Sequence, residues 1–191
     1  MSEFYIRPAT EKDLSAILDI YAPYVLNTTY SFEYTVPTPE VFTERFRGIT
    51  EKYPWLVWTE NGEVIGYAYA SRMFERTAYQ WSADISIYIK DGHHGKGIGR
   101  RLYAEVEAIL VKCGYQKVYA IITEENRNSC AFHECVGYTK EGMLHHCGYK
   151  FGRWLGVNWY GKQLVEGEPE CDPIPWDGRL FDGIEGRKLE L

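Results

Sequence analysis

The chain has 191 residues, 45% of them apolar and 16% aromatic, which suits one soluble globular domain with a substantial core. A net charge of −6 argues against a nucleic-acid partner, and no apolar run approaches the length of a membrane span. Residues 1–7 lack a secretion-signal pattern, so a cytoplasmic protein is expected. The charge is uneven: residues 166–191 carry eight acidic and three basic side chains, which leaves residues 1–165 nearly neutral.

In chain order, residues 4–8 read as a short strand. Thr10 and Asp13 form a variant capping box ahead of Leu14, Ile17, Leu18 and Tyr21 at helical spacing, and Pro23 weakens that helix near its end. Residues 27–34, polar and aromatic, read as a loop or short helix. Thr38-Pro39 opens a second helix with Phe42, Phe46 and Ile49 on its apolar face. Asn61-Gly62 between two alternating runs, 56–60 and 63–69, predicts a hairpin with a type I′ turn.

Residues 81–90 alternate as a strand. The segment 100–112 is an amphipathic helix, with Leu102, Val106, Ile109 and Leu110 inward and Gly114 at its end. Residues 117–123 read as a buried strand. Asn126 caps a short helix closed by Gly137, and residues 138–164 contain strands broken by glycines. The expected organisation is a domain over 1–165 and an acidic, proline-containing extension over 166–191, which looks like an arm with little core of its own.

The most informative segment joins the 81–90 strand to the helix after it: Gly92-His93-His94-Gly95-Lys96-Gly97-Ile98-Gly99-Arg100-Arg101. Glycines let the backbone approach a ligand closely. The unpaired N–H groups of a first helical turn favour an anion. With Lys96, Arg100 and Arg101 adding positive charge, the expected guest is a diphosphate group. The segment lacks the Gly-Lys-Ser/Thr of a Walker loop, and Arg100 stands where a dinucleotide fingerprint needs its third glycine. Its spacing, His94-Gly95-Lys96-Gly97-Ile98-Gly99, resembles the pyrophosphate loop of GNAT acetyltransferases, with His94 in place of the usual Gln or Arg.

Five further segments sharpen that resemblance to phosphinothricin N-acetyltransferases. They are Tyr53-Pro54-Trp55-Leu56-Val57, Arg76-Thr77-Ala78-Tyr79-Gln80-Trp81, Ile87-Tyr88-Ile89, His133-Glu134-Cys135-Val136-Gly137-Tyr138 and Gly148-Tyr149-Lys150. Together they run from about Phe4 to Leu164 and leave the acidic extension outside. The resemblance implies the GNAT fold, a mixed and mostly antiparallel central sheet flanked by helices. It also implies transfer of acetyl from acetyl-CoA to the amine of a small substrate, an amino acid or an analogue such as phosphinothricin, methionine sulfone or methionine sulfoximine.

It further implies roles for residues. Asp84 stands where the family carries a glutamate before the central strand and would accept the amine's proton, directly or through water. An ordinary aspartate, with a pKa of about 3.9, needs burial to do so. His133 stands where many members place a tyrosine facing the sulfur, and would donate a proton or a hydrogen bond to the leaving thiolate. Backbone groups of Ile87, Tyr88 and Ile89 would bind the pantetheine amides and the carbonyl oxygen on a strand that splays from its neighbour. His94, Gly95, Lys96, Gly97, Ile98, Gly99 and Arg100 would hold the pyrophosphate, and Asn126 would touch the cofactor. Arg76 would pair with a substrate carboxylate, with Phe32, Tyr34 and Tyr79 as walls. The herbicide enzymes' lysine is Phe74 here, and two of their histidines are Phe151 and Leu155, so the pocket is expected to be more apolar. Arg72 would restore a cation if it faces inward.

Two other functions stay open at this level: a catalytically weak CoA-binding sensor, and a protein N-acetyltransferase. The five cysteines, odd in number and without a C-x-x-C, are expected to be free thiols. No metal is expected, because His145, His146 and Cys147 alternate across a strand. A small-molecule amine is the expected partner, with a homodimer left open.

Overall fold

The computed structural model of the protein describes residues 4–181. Strand β1 (Phe4–Pro8) leads through one turn of 3₁₀ helix into α1 (Leu14–Asn27), then α2 (Pro39–Thr50). Three strands follow, β2 (Trp55–Glu60), β3 (Glu63–Arg72) and β4 (Ser82–Ile89), then α3 (Ile98–Lys112), β5 (Lys117–Thr123) and α4 (Arg127–Cys135). A long hairpin, β6 (Thr139–Lys150) and β7 (Arg153–Gln163), completes the sheet.

Local chemistry accounts for most of these boundaries. The Thr10 backbone N–H donates to the Asp13 carboxylate at 2.8 Å, and Arg7 grips both oxygens of the same carboxylate. Thr38 accepts from the Val41 N–H, with Pro39 pre-set at the first helical position. Asn61 and Gly62 take the positive φ angles, 51° and 83°, of the hairpin turn. Helix α1 passes through Pro23 and continues to Asn27, so the proline does not end it. Residues 28–37 form a loop rather than a helix.

The sheet has seven strands in the order β1-β2-β3-β4-β5-β7-β6, antiparallel except for β4 beside β5. Period-2 alternation gives it two buried faces. One carries Leu56, Trp58, Ala68, Ala70, Ala83, Ile85, Val118 and Ala120 against α3, with Phe132 of α4 packed on the same cluster. The other carries Trp55, Val57, Val64 and Tyr67 against α1 and α2. Ile121 is 47% exposed, so β5 is an alternating strand and not one buried on both faces. Residues 164–181 run as an arm across the end of α3. Its Phe181 is buried, with Trp176 and Leu180 packed on the first core, so the arm joins the body's core instead of building its own.

The departure from a regular sheet lies between β4 and β5. β4 pairs with β3 from Ala83 to Ile89, yet with β5 only at Ser82–Lys117, Ala83–Val118 and Asp84–Tyr119. β5 pairs with β7 along its whole length, and beyond Tyr119 it keeps that partner alone, as far as Thr123 opposite Val157. The two parallel strands therefore fork at Asp84.

Candidate active site

The fork opens a cleft lined by Ile85 to Tyr88 on one side and Ala120 to Thr123 on the other, with Tyr24, Tyr30, Tyr103, Asn126, Ser129 and His133 around it. In an antiparallel ladder, successive residues turn their main-chain groups to opposite edges. Lys90 donates to the Ile65 carbonyl, which faces β3. The Ile89 carbonyl accepts from the Tyr24 hydroxyl at 2.6 Å, which faces the fork. By that alternation Tyr88 belongs to the β3 ladder and Ile87 faces the fork. Of the three residues expected to offer main-chain groups, Tyr88 is therefore spent on the sheet and Ile89 on Tyr24. Ile87 remains the one aimed into the cleft. The buried Thr123 hydroxyl, which lines the same cleft, has no hydrogen-bond partner among the described residues.

At the far end of β4 lies the glycine loop. Gly92, Gly95 and Gly97 adopt φ of 78°, 78° and 79°. Gly97 is the N-cap of α3 and has no side chain to satisfy the first turn, so those N–H groups are left for a ligand. Lys96 and Arg100 are exposed around it. Arg100 also reaches Cys135 Sγ at 3.1 Å, and His94 Nε2 lies 3.1 Å from the Tyr24 hydroxyl. Ile98 and Gly99 are buried. A methyl on Gly99 would press on Ile87 and Phe132 at 3.2 Å, so its smallness lets α3 seat on β4, while its main-chain N–H belongs to the open first turn. Asn126 caps α4 by accepting from the Ser129 N–H at 3.1 Å, and also lines the cleft. An open main-chain edge, an orphaned hydroxyl and an uncapped helix N-terminus at one end together fit a long ligand with amides and a diphosphate.

Asp84 stands at the root of the fork on the α1–α2 face, half-buried. Burial lifts its carboxyl from the ordinary 3.8 to about 7, and a hydrogen bond with Ser86 opposes the shift. Its ladder partner Tyr119 projects from the same face and lines a second cavity of about 470 Å³. The other walls are Met73, Phe74, Tyr79, Ser82, Glu141, Gly142, Met143, Leu144 and Trp159. Phe74 stacks on Trp159 with centroids 5.9 Å apart and leans on Tyr79 at 4.7 Å. Phe74 and Tyr79 thus line a largely aromatic cavity, of which Tyr119, Met143 and Trp159 escaped the sequence reading. Trp159 lies in a β7 segment whose partner strands were not legible from pattern.

Three expectations need correction: His133, Arg72, and the pair Phe32 and Tyr34. His133 is 2% exposed, not an accessible donor: Nδ1 bonds the Ser129 carbonyl at 2.7 Å, so that nitrogen carries the hydrogen, and Nε2 accepts from the Tyr103 hydroxyl at 3.0 Å. Burial lowers its pKa to about 4, so at neutral pH it has no proton to give a departing thiolate. Arg72 does not face inward. It pairs with Glu75 at 2.9 Å and with the carbonyls of Phe74 and Glu75, closing the loop after β3. Phe32 and Tyr34 wall neither the cleft nor the cavity. The Phe32 ring rests on Gly148, and the Tyr34 hydroxyl donates to the Tyr149 carbonyl. Arg76 is exposed, three residues before Tyr79, makes no ion pair among the described residues, and stands outside the cavity wall.

Among the described residues no three His, Cys, Asp or Glu side chains gather as a metal site, and no helix is long and apolar enough to cross a membrane.

The family model of the acetyltransferase (GNAT) domain matches residues 6–159. The phosphinothricin N-acetyltransferase of Streptomyces viridochromogenes is 35% identical over 159 residues, covering 83% of this chain and 87% of that one. The L-methionine sulfoximine/L-methionine sulfone acetyltransferase of Salmonella typhimurium is 33% identical over 84% of this chain and 95% of its own. Among solved structures, a GNAT superfamily phosphinothricin acetyltransferase from Sinorhizobium meliloti in complex with AcCoA has a TM-score of 0.83 and 34% identity, with 96% of each chain covered. The forked sheet, the glycine loop and these likenesses agree: the chain belongs to the GNAT family and is an acetyl-CoA-dependent N-acetyltransferase of small amines.

Proposed function

We propose that the protein acetylates the α-amine of an amino acid, or of an amino-acid analogue, whose side chain is uncharged. The observation that carries this is that Asp84 adjoins both spaces: it precedes Ile85 of the main-chain cleft and is the ladder partner of Tyr119 in the aromatic cavity wall. Acetyl-CoA supplies a thioester carbonyl. Ile87, Thr123 and the loop from His94 to Arg100 are the groups suited to hold it along the cleft. Held at Asp84, the amine attacks the carbonyl carbon; the N–C bond forms, the C–S bond breaks, and CoA leaves as its thiolate. Asp84 takes the amine's proton, and a carboxyl titrating at about 7 is matched to that task. The Ile87 N–H is the donor suited to the oxygen that gains charge in the tetrahedral intermediate.

Phe74, Tyr79, Tyr119 and Trp159 favour an uncharged side chain of moderate size. The named activities of the relatives, on phosphinothricin and on methionine sulfoximine and sulfone, support an amino-acid-like acceptor. The apolar wall favours the neutral analogues over the doubly anionic one. Arg76, exposed, without an ion pair among the described residues and three residues before Tyr79 of the cavity wall, is the cation available for the α-carboxylate. An unpaired carboxyl raised at this point also supports a working base over a CoA sensor. We infer a cytoplasmic enzyme and a homodimer. The exposed aromatic surface of Tyr149, Phe151 and Trp154 on the last hairpin supports self-association, and the mass in solution tests it.

The decisive experiment is a panel of amino acids, analogues, polyamines and short peptides with acetyl-CoA, reading thiol release. Methionine sulfone and sulfoximine are expected among the best acceptors. Preference for polyamines, or for peptides without a free carboxylate, would refute the amino-acid assignment.

A further inference from the structure

The triplet Gly148-Tyr149-Lys150 carries part of the family resemblance and yet touches neither the cleft nor the cavity. Each of its residues instead holds the loop that follows α1. Gly148 leaves room for the Phe32 ring, which a methyl there would overlap. The Tyr149 carbonyl accepts from the Tyr34 hydroxyl. Lys150 is 3% exposed, and its ammonium donates to the carbonyls of Val25 at 2.7 Å, Thr28 at 2.9 Å and Ser31 at 2.6 Å. An ammonium has three N–H donors, and all three are used. The Val25 and Thr28 carbonyls lie at the negative end of α1, where a cation is favoured.

What this loop carries bears on the reaction. Tyr30 lines the cleft, next to Tyr24, which closes the Ile89 main chain. Ser31 and Glu33 both bond the Tyr21 hydroxyl, at 2.7 and 2.8 Å, and Arg45 pairs with Glu33. Tyr21 stacks edge-on against Tyr88 of β4 at 4.9 Å. The loop therefore has one side on the cofactor cleft and the other on the strand that bears Asp84.

We propose that Lys150 is a positioning residue for acetyl transfer: its buried ammonium latches the 28–34 loop onto β6 so that Tyr30 is held against the cofactor cleft. This rests on the assignment of the cleft to acetyl-CoA. A lysine in this role acts through the loop and touches neither substrate. Losing the latch frees Tyr30, so cofactor affinity falls while the chemistry at Asp84 is retained once the site is saturated.

The test compares the wild-type enzyme with Lys150→Met and Gly148→Ala. Amide hydrogen exchange over residues 28–34 is read with the KM for acetyl-CoA and with kcat. For Lys150→Met we expect exchange over 28–34 to rise at least tenfold with α3 unchanged. The KM for acetyl-CoA should rise about tenfold and kcat stay within about threefold, the pattern of lost binding rather than lost chemistry. Gly148→Ala, which presses on Phe32 and leaves the ammonium in place, should shift the same readings less, and decides the matter if the lysine variant does not fold. Unchanged exchange over 28–34, or looser exchange with an unchanged KM, overturns the proposal. So does a fall in kcat with KM unmoved. Failure of the cleft assignment would show separately, as absence of acetyl-CoA protection at residues 85–89 in the wild type.

Discussion

At the scale of single residues, two titrating groups, half-buried Asp84 and buried His133, act against each other. The folded protein holds the Asp84 proton more tightly than the unfolded chain does. Its stabilising contribution is therefore present below pH 3.8 and is lost as pH rises through about 7. His133 is the reverse: its folded pKa is depressed from 6.5 to about 4, so its contribution is present above 6.5 and lost as pH falls through about 4. The windows overlap and the signs oppose. Asp84→Asn should thus raise the Tm relative to wild type at pH 8 and not at pH 4. His133→Leu should cost packing at every pH but show its smallest deficit near pH 4, both read by thermal melts across pH. In activity, Asp84→Asn should lower turnover by about 10²–10⁴-fold with acetyl-CoA binding intact, and the wild-type rate should climb with pH through about 7. Near-normal turnover in that variant would remove Asp84 from the mechanism. Arg76→Ala should raise the KM for an amino-acid acceptor and leave that for acetyl-CoA unchanged, the mark of an α-carboxylate contact.

At the scale of elements, the working parts are ends and edges. β4 offers Ile87 only because β5 leaves it after Asp84, and α3 offers its first N–H groups only because Gly97 brings no capping side chain. Saturating acetyl-CoA at about a hundred times its Kd should stabilise the fold by about 2.7 kcal/mol, visible as a raised Tm. Gly97→Asp should abolish that shift, since a carboxylate would repel the diphosphate and a side chain is strained at φ 79°. An equal ligand-induced shift in the variant would remove the loop from cofactor binding.

At the scale of the whole molecule, the acidic arm closes the structure. The Gln80 side chain donates to Asp172, the Trp81 indole to the Cys171 carbonyl, and the Ile174 and Trp176 N–H groups to the carbonyls of Cys113 and Lys52. Phe181 is 8% exposed in the first core, so Phe181→Ala should cost about 3 kcal/mol, measured by denaturant unfolding. None of these contacts reaches the cleft or the cavity, so the variant's turnover at low temperature should match the wild type.

Local chemistry along the chain decided a good deal by itself. The capping box at Thr10, the Asn61-Gly62 turn, the Gly97 loop and the Asn126 cap are each set by a few adjacent residues, and each formed where the pattern pointed. Asp84 was legible as a candidate through resemblance, because it stands beside a recognisable strand. What depended on contacts between distant segments was not legible. His133 lost its expected role because Tyr103, thirty residues away, takes its second nitrogen, and Arg72 because the loop after β3 folds back on it. Lys150 met α1 across more than a hundred residues. The fork, the cavity wall and the loop latch are all long-range pairings. Side-chain periodicity tells which face of a strand is apolar but not which strand lies beside it, and only the assembled sheet decides that.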